Sequence, residues 1–169
     1  IFTSNGLEVT FKAKPIHGVA GSGGHTHVGA SAKLKNGKIV NIFAPKDMKN
    51  DYLSELGYGA LMGLLRNYEV LNPFVTSTND GFNRLVPGFE APVCTVTSLG
   101  HSYEIPSRNR SVLIGLIRDI DNPLATRFEL RAPNPLSNTY LVLASIYQAV
   151  VDGIKAVAVS NLDSKELEK

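Results

Sequence analysis

The chain has 169 residues, 43% of them hydrophobic and 19% charged, with a formal net charge of +2 and one cysteine. That length and composition suit one globular domain with a sizeable core and exclude an intrinsically disordered chain. The near-neutral charge argues against nucleic acid or an anionic membrane as partner, and a lone cysteine rules out an internal disulfide and fits a reducing, cytoplasmic setting. No run of eighteen apolar residues predicts a membrane span, and the opening residues do not have the form of a secretory leader.

The opening "IFTSNGLEVTFKAKP" reads as strand material around an Asn-Gly turn, with a strand over 9–12 ended by Pro15. Such a start, without methionine, is expected of a piece of a longer protein. Residues 25–35 are small and β-branched and predict a strand. Asn36-Gly37 predicts a two-residue turn, and 38–43 the returning strand, so that 25–43 forms a hairpin with His25 and His27 at its beginning.

The clearest helix is 51–72. Leu53, Leu56, Ala60, Leu61, Leu64, Leu65, Tyr68 and Leu71 recur at spacings of three and four, and Asn72-Pro73 is expected to stop it. Gly57, Gly59 and Gly63 inside it predict a close helix–sheet approach. Short strands broken by Gly81, Pro87, Gly88 and Pro92 are expected over 74–100, with Cys94 a small buried hydrophobe.

Two further strands are predicted over 111–119 and 126–131. In the second, Arg127, Glu129 and Arg131 fall on one face and Phe128 and Leu130 on the other. The stretch "APNPLSNTYLVLASIYQAVVDGIKAVAV" predicts a long helix, apolar nearly all round and deeply packed, with Pro135 in its first turn and Asn134 or a neighbour as cap. The mixed order of hairpin, helix, strands and helix predicts an α+β fold with a largely antiparallel sheet.

Several short stretches call for a common chemistry. "GSGGHTHVG" joins a glycine-rich turn, whose backbone N–H groups can approach an anion, to two imidazoles. "NRLVPGFEAP" sets Arg84 and Glu90 on either side of a Pro-Gly turn; "RNRS" carries Arg108 and Arg110; "RFELR" carries two arginines and a glutamate. Arginines grip carboxylates and phosphates, and a His with a Glu can hold Mg²⁺ or Mn²⁺ when other oxygen ligands join them. Together these parts suit phosphoryl transfer, in which catalysis is mostly positioning and charge neutralisation. Each part alone has an ordinary structural explanation, and the weight comes from their joint occurrence.

In this order the stretches "GSGGHTHVGAS", "NRLVPGFEAP", "RNRS", "TRFELRAPNP" and "NTYLVLASIYQAVVDGI" resemble the second half of the glutamine synthetase catalytic domain. The resemblance implies a parent enzyme that joins glutamate and ammonia at the expense of ATP, through a γ-glutamyl phosphate, with Mg²⁺ or Mn²⁺. It assigns His25 and Glu129 as ligands of the ion that handles the ATP γ-phosphate. It puts His27, Arg110 and Arg127 on the nucleotide phosphates, Gly21 and Arg84 on the glutamate, and Arg131 on both glutamate and the transferring phosphoryl group. Glu90 falls on a flap, where it would attract ammonium and accept its proton. Family members form rings of subunits with a small N-terminal β-domain and earlier catalytic strands; the segment 1–169 is expected to hold neither and to be inactive alone.

The sequence departs from the family pattern at several points. Ala20 stands where the family has Asn, Gly24 where it has a larger residue, Gly115 where it has an arginine, and "APNP" where it has "FPDP". Arg118 lies near enough in sequence to replace the arginine missing at 115. Residues 99–106 form an insert, as in the divergent type III bacterial branch, with His101 and Glu104 expected in solvent. These departures leave open a γ-glutamyl-amine ligase of the same fold, acting on a larger amine such as a polyamine. A catalytically silent structural or regulatory relative is the other alternative.

Overall fold

The computed structural model describes residues 1–85, 94–100, 102–105 and 109–160. Among these, the strands are β1 (Thr26–Val28), β2 (Ser31–Lys33), β3 (Ile39–Asn41), β4 (Cys94–Ser98), β5 (Val112–Ile117) and β6 (Arg127–Leu130). The helices are α1 (Glu55–Arg66), α2 (Tyr68–Val75), α3 (Asn79–Phe82) and α4 (Thr139–Ser160). The fold is α+β. The main sheet runs β1-β6-β5-β4, antiparallel at β1/β6 and β6/β5 and parallel only at β5/β4.

The expected hairpin is shorter than predicted. Only β2 and β3 form it, and β1 leaves the hairpin to pair with β6, a hundred residues on. The turn is a three-residue loop in which Leu34 N–H bonds to Lys38 O, with Gly37 at φ 84°. That left-handed position after a turn is one only glycine takes without strain.

No strand forms over 9–12. Leu7, Val9 and Phe11 alternate as a strand's would, yet no neighbouring strand pairs with them, and Phe11 is 63% exposed. The predicted helix 51–72 is two helices. Ser54 caps α1, its Oγ accepting from Gly57 N–H at 3.0 Å, which sets the start at 55. Asn67 closes the end by donating from Nδ2 to Gly63 O at 2.8 Å. The chain then re-enters α2 and runs through Pro73 to Val75. The ring costs the bond to Glu69 O, but Glu69 and Pro73 are both exposed, so that carbonyl meets water. Of the short strands expected over 74–100, the described residues give only β4; 76–85 holds the single turn of α3. The expectations for Glu90 and Arg108, and for the side chain of Cys94, lie outside the described residues.

The core lies on one face of the sheet. Ile114 and Leu116 register with Leu130 and Phe128, and all four are buried under α1 and α4 together with Phe43, Leu61, Leu64 and Ile146. Phe43 and Phe128 stack with ring centroids 4.9 Å apart. Each such side chain contributes about 1.5–3 kcal/mol on burial.

α4 starts later than predicted, with Asn138 as the cap: its Oδ1 accepts from the N–H groups of Tyr140 and Leu141. Pro135 and Asn134 precede it. α4 is also less buried than expected. The stripe Val142, Ile146, Ala149, Val150, Gly153 and Val157 packs inward, while Tyr140 and Tyr147 are 84% and 71% exposed. The span Thr139–Val159 is long and apolar enough to cross a membrane, but here its inward stripe is the wall of the core.

The helix glycines serve a helix–helix contact. A Cβ on Gly153 would stand 2.0 Å from Gly59 O and 2.9 Å from Gly63 Cα, so α1 and α4 meet backbone to backbone. Gly57 lies instead against the backbone of Phe43. Replacing Gly153 by Ala gains helix propensity of about 1 kcal/mol but overpacks a contact with no room to give, a cost of about 1–3 kcal/mol or more. Urea denaturation should show a lower midpoint for G153A; an unchanged or raised midpoint would mean that the helices part freely.

Candidate functional site

The other face of the sheet is polar. Pairing of β1 with β6 sets His27 opposite Glu129, and pairing of β6 with β5 sets Glu129 opposite Gly115, so the three positions face one way. Arg127 and Arg131 lie two residues either side of Glu129 on that same face.

His25, just before β1, sits beside Glu129: Nδ1 is 2.8 Å from Oε1. The same oxygen accepts from Arg131 Nη1 at 2.9 Å, and Arg131 Nε donates to Arg110 O at 3.1 Å. On the other side of the ring, His25 Nε2 is 3.0 Å from Arg84 Nη2. Arg84 is only 5% exposed. Its Nη2 also donates to Arg131 O at 2.8 Å, and Nη1 to Ala132 O at 3.1 Å and Pro133 O at 3.4 Å. His25, Glu129, Arg131 and Arg84 are therefore one connected cluster. Arg84 reaches it as a guanidinium already gripped by backbone carbonyls.

His27 and Arg127 form a second pair along the face. Arg127 Nε donates to His27 Nδ1 at 3.1 Å and Nη1 to Ala125 O at 2.9 Å. Arg110 is exposed, at the end of the face nearer Arg131. Gly21 lies against the Arg84 stem, where a Cβ would be 3.0 Å from Cγ. Arg118 does not reach this face. It is buried beyond the end of β5, over the Tyr52 ring, and donates to Asp51 O at 2.7 Å and to Met48 O. The position of the missing arginine stays open: the nearest atom to a Cβ on Gly115 would be Glu129 Oε2 at 3.8 Å.

Sequence reading missed what holds the glycine-rich turn. Asp80 Oδ2 accepts from Ala13 N–H at 2.8 Å, Ala13 O accepts from Ser22 N–H at 2.8 Å, and Gly24 N–H donates to Pro133 O at 2.7 Å. Nothing in "TNDG" marks that aspartate in advance. Two clefts, about 1150 Å³ beside β3 and α1 and about 590 Å³ between β1 and α4, are lined largely by apolar residues and include neither His25 nor Glu129. The titratable groups are on the open polar face.

The electrostatics keep His25 neutral. Its pKa lies below the ordinary 6.5, first through burial and then through the Arg131 charge, against the opposing pull of Glu129. A neutral imidazole and a carboxylate are a sound donor pair for a hard divalent ion. Ligands about 2.1 Å from an octahedral ion and cis to one another lie about 3 Å apart, close to the 2.8 Å seen here. The pair thus fits one edge of a coordination shell. Among the described residues no group of three His, Cys, Asp or Glu completes it.

Comparison with known proteins agrees with this geometry. Residues 1–163 match the family model "Glutamine synthetase, catalytic domain". The chain is 41% identical over 155 residues to a glutamine synthetase of Clostridium saccharobutylicum, covering 89% of this chain and 30% of that protein. Over 150 residues it is 39% identical to that of Escherichia coli K12, covering 89% and 29%. A solved glutamine synthetase of Plasmodium falciparum superposes with a TM-score of 0.64 at 30% identity, over 87% of this chain and 26% of that one. The chain spans about 30% of the length of the curated relatives it matches.

The cluster sets a pH expectation. With the folded pKa of His25 below the unfolded one, its contribution to stability is full above 6.5 and is lost as pH falls below 6.5 through the folded value. Histidine NMR titration should place His25 below 6.5, lower still in Glu129→Gln, and higher in Arg131→Gln. A rise in Glu129→Gln would contradict the assigned contacts.

Proposed function

The chain belongs to the glutamine synthetase catalytic-domain family, and from that premise we propose that it supplies the nucleotide- and glutamate-binding half of a glutamate–ammonia ligase. The parent protein makes glutamine through γ-glutamyl phosphate. The observation that carries this reading is the contact of His25 with Glu129 at 2.8 Å, with Arg131 on the same carboxylate oxygen. It joins the two ends of the sequence pattern, 104 residues apart, in one place.

In this reading His25 and Glu129 hold Mg²⁺ or Mn²⁺, which when bound supplies charge neutralisation at the ATP phosphates. Arg127, His27 and Arg110 line the polar face and bind the phosphates. Four arginines surround a single carboxylate there, a surplus that favours a polyanion. Arg131, held by Arg110 O and Glu129, keeps a guanidinium facing the site where negative charge develops during transfer. Gly21 contributes backbone and Arg84 a positive charge to the glutamate, and Glu90 accepts the proton of ammonium. Further ligands of the ion, ring assembly and a cytoplasmic setting belong to the parent protein in the same proposal.

Two donors make a weak site. The 169-residue chain is expected to bind Mg²⁺–ATP weakly and not to turn over. By calorimetry, Mg²⁺ should strengthen ATP binding to the wild-type chain and not to Glu129→Ala. Arg127→Ala should weaken it about tenfold, as for loss of one charge-assisted hydrogen bond. Tight stoichiometric binding with turnover, or indifference to both substitutions, would refute the assignment.

A further inference from the structure

Arg84 is a donor at every nitrogen, so its 3.0 Å contact makes His25 Nε2 the acceptor. The single proton of the neutral ring is then on Nδ1, donated to Glu129 Oε1. Both ring nitrogens are therefore in use, and a divalent cation needs a ring lone pair. When the cation takes Nδ1, beside Glu129, the neutral ring carries its proton on Nε2. The count balances, since Nδ1 gives one proton to water and Nε2 takes one from water. Nε2–H now faces the Arg84 N–H, donor against donor, and the pair needs an acceptor between them.

Gly23 shows where that acceptor fits. A Cβ on Gly23 would stand 2.6 Å from His25 Nε2 and 2.7 Å from Arg84 Nη2, within hydrogen-bond reach of both. Glycine leaves this position open, and Gly23 is exposed, so solvent and solutes reach it. An oxygen placed slightly farther from the backbone than that Cβ bridges the two donors. The neighbouring charge of Arg84 and Arg131 favours an anionic oxygen. Arg84 itself has no carboxylate partner here, only carbonyls and the imidazole.

We propose that a divalent cation on His25 converts the His25–Arg84 contact into a carboxylate seat over Gly23, so that cation and amino-acid substrate bind cooperatively. The inference rests on the reading of His25 as a metal ligand. It adds a role for Gly23 and an order of events: Arg84 is held by His25 until the cation arrives, and the carboxylate then takes over the place of the ring lone pair.

The test uses the 169-residue chain. Ring ¹⁵N NMR of His25 should show the proton on Nδ1 without cation and on Nε2 with saturating Mg²⁺. Calorimetry should show glutamate binding about five- to tenfold tighter with Mg²⁺ than without, and the reciprocal gain for Mg²⁺, a coupling of ordinary size. Gly23→Ala should keep the shift of the ring proton and lose the gain in glutamate affinity. The NMR measurement needs no variant and is decisive even if Gly23→Ala does not fold.

If Mg²⁺ leaves the His25 signals unmoved, the metal assignment fails and this inference with it. If the proton moves but glutamate affinity does not, or if Gly23→Ala retains the gain, this inference alone fails. If inorganic phosphate gains affinity and glutamate does not, the seat belongs to a phosphoryl oxygen and the carboxylate assignment is overturned.

Discussion

Side chains alternate faces along a strand, so the register of β1 on β6, with His27 opposite Glu129, decides everything on the polar face. A slip of one residue would send Glu129 into the core and Phe128 into water. The core forbids that slip, because Phe128 and Leu130 are completely buried and pack with Ile114, Leu116 and Phe43. The site therefore borrows its precision from apolar packing on the opposite side of the same four residues. β1 has only three residues and could not hold a register alone. Gly24 N–H to Pro133 O extends the attachment beyond it.

Arg84 is the second constraint. A buried guanidinium is costly to desolvate, and burial and the nearby Arg131 both lower its pKa. No carboxylate touches it among the described residues. Its compensation is the carbonyl oxygens of Arg131, Ala132 and Pro133 together with the His25 ring. These carbonyls belong to the chain as it leaves β6, so Arg84 fastens the segment after α3 to the end of the strand that carries Glu129. Asp80 fastens the same segment to Ala13 and hence to the glycine-rich turn. Three distant stretches of sequence thus converge on one guanidinium.

What could be read from sequence divides along the same line. β5 and β6, the face shared by Arg127, Glu129 and Arg131, and the α+β class follow from local alternation and element order, and they stand as expected. Local pattern misled where pairing is long-range. Residues 25–35 read as one strand of a hairpin because nothing local says that 26–28 will pair with 128–130. Residues 9–12 read as a strand although no partner lies beside them. The break at Asn67 and the late start of α4 turn on single side-chain caps. The juxtaposition of His25 and Glu129 was legible through family resemblance, not through spacing. The Arg84–His25 contact, the open position at Gly23 and the burial of Arg118 were not legible, because each depends on where backbone carbonyls happen to fall.

Fold and site are consequently hard to separate by substitution. Removing the Arg84 guanidinium would leave the three carbonyls with fewer partners and His25 without its donor, so stability and ligand binding would fall together. The Gly115 position behaves differently. It lies on the polar face, opposite Glu129, with open space around a would-be Cβ and no part in the core contacts of Ile114 or Leu116. A side chain added there alters the charge and volume beside Glu129 while the sheet beneath keeps its packing. The same holds in reverse for Arg118, whose bonds to Met48 and Asp51 tie β5 to the loop before α1: it serves the fold and leaves the polar face untouched. The loss of an arginine at 115 is thus not made good by the arginine three residues on. The strand turns successive side chains to opposite faces, and residues 115 and 118 differ by an odd number of steps.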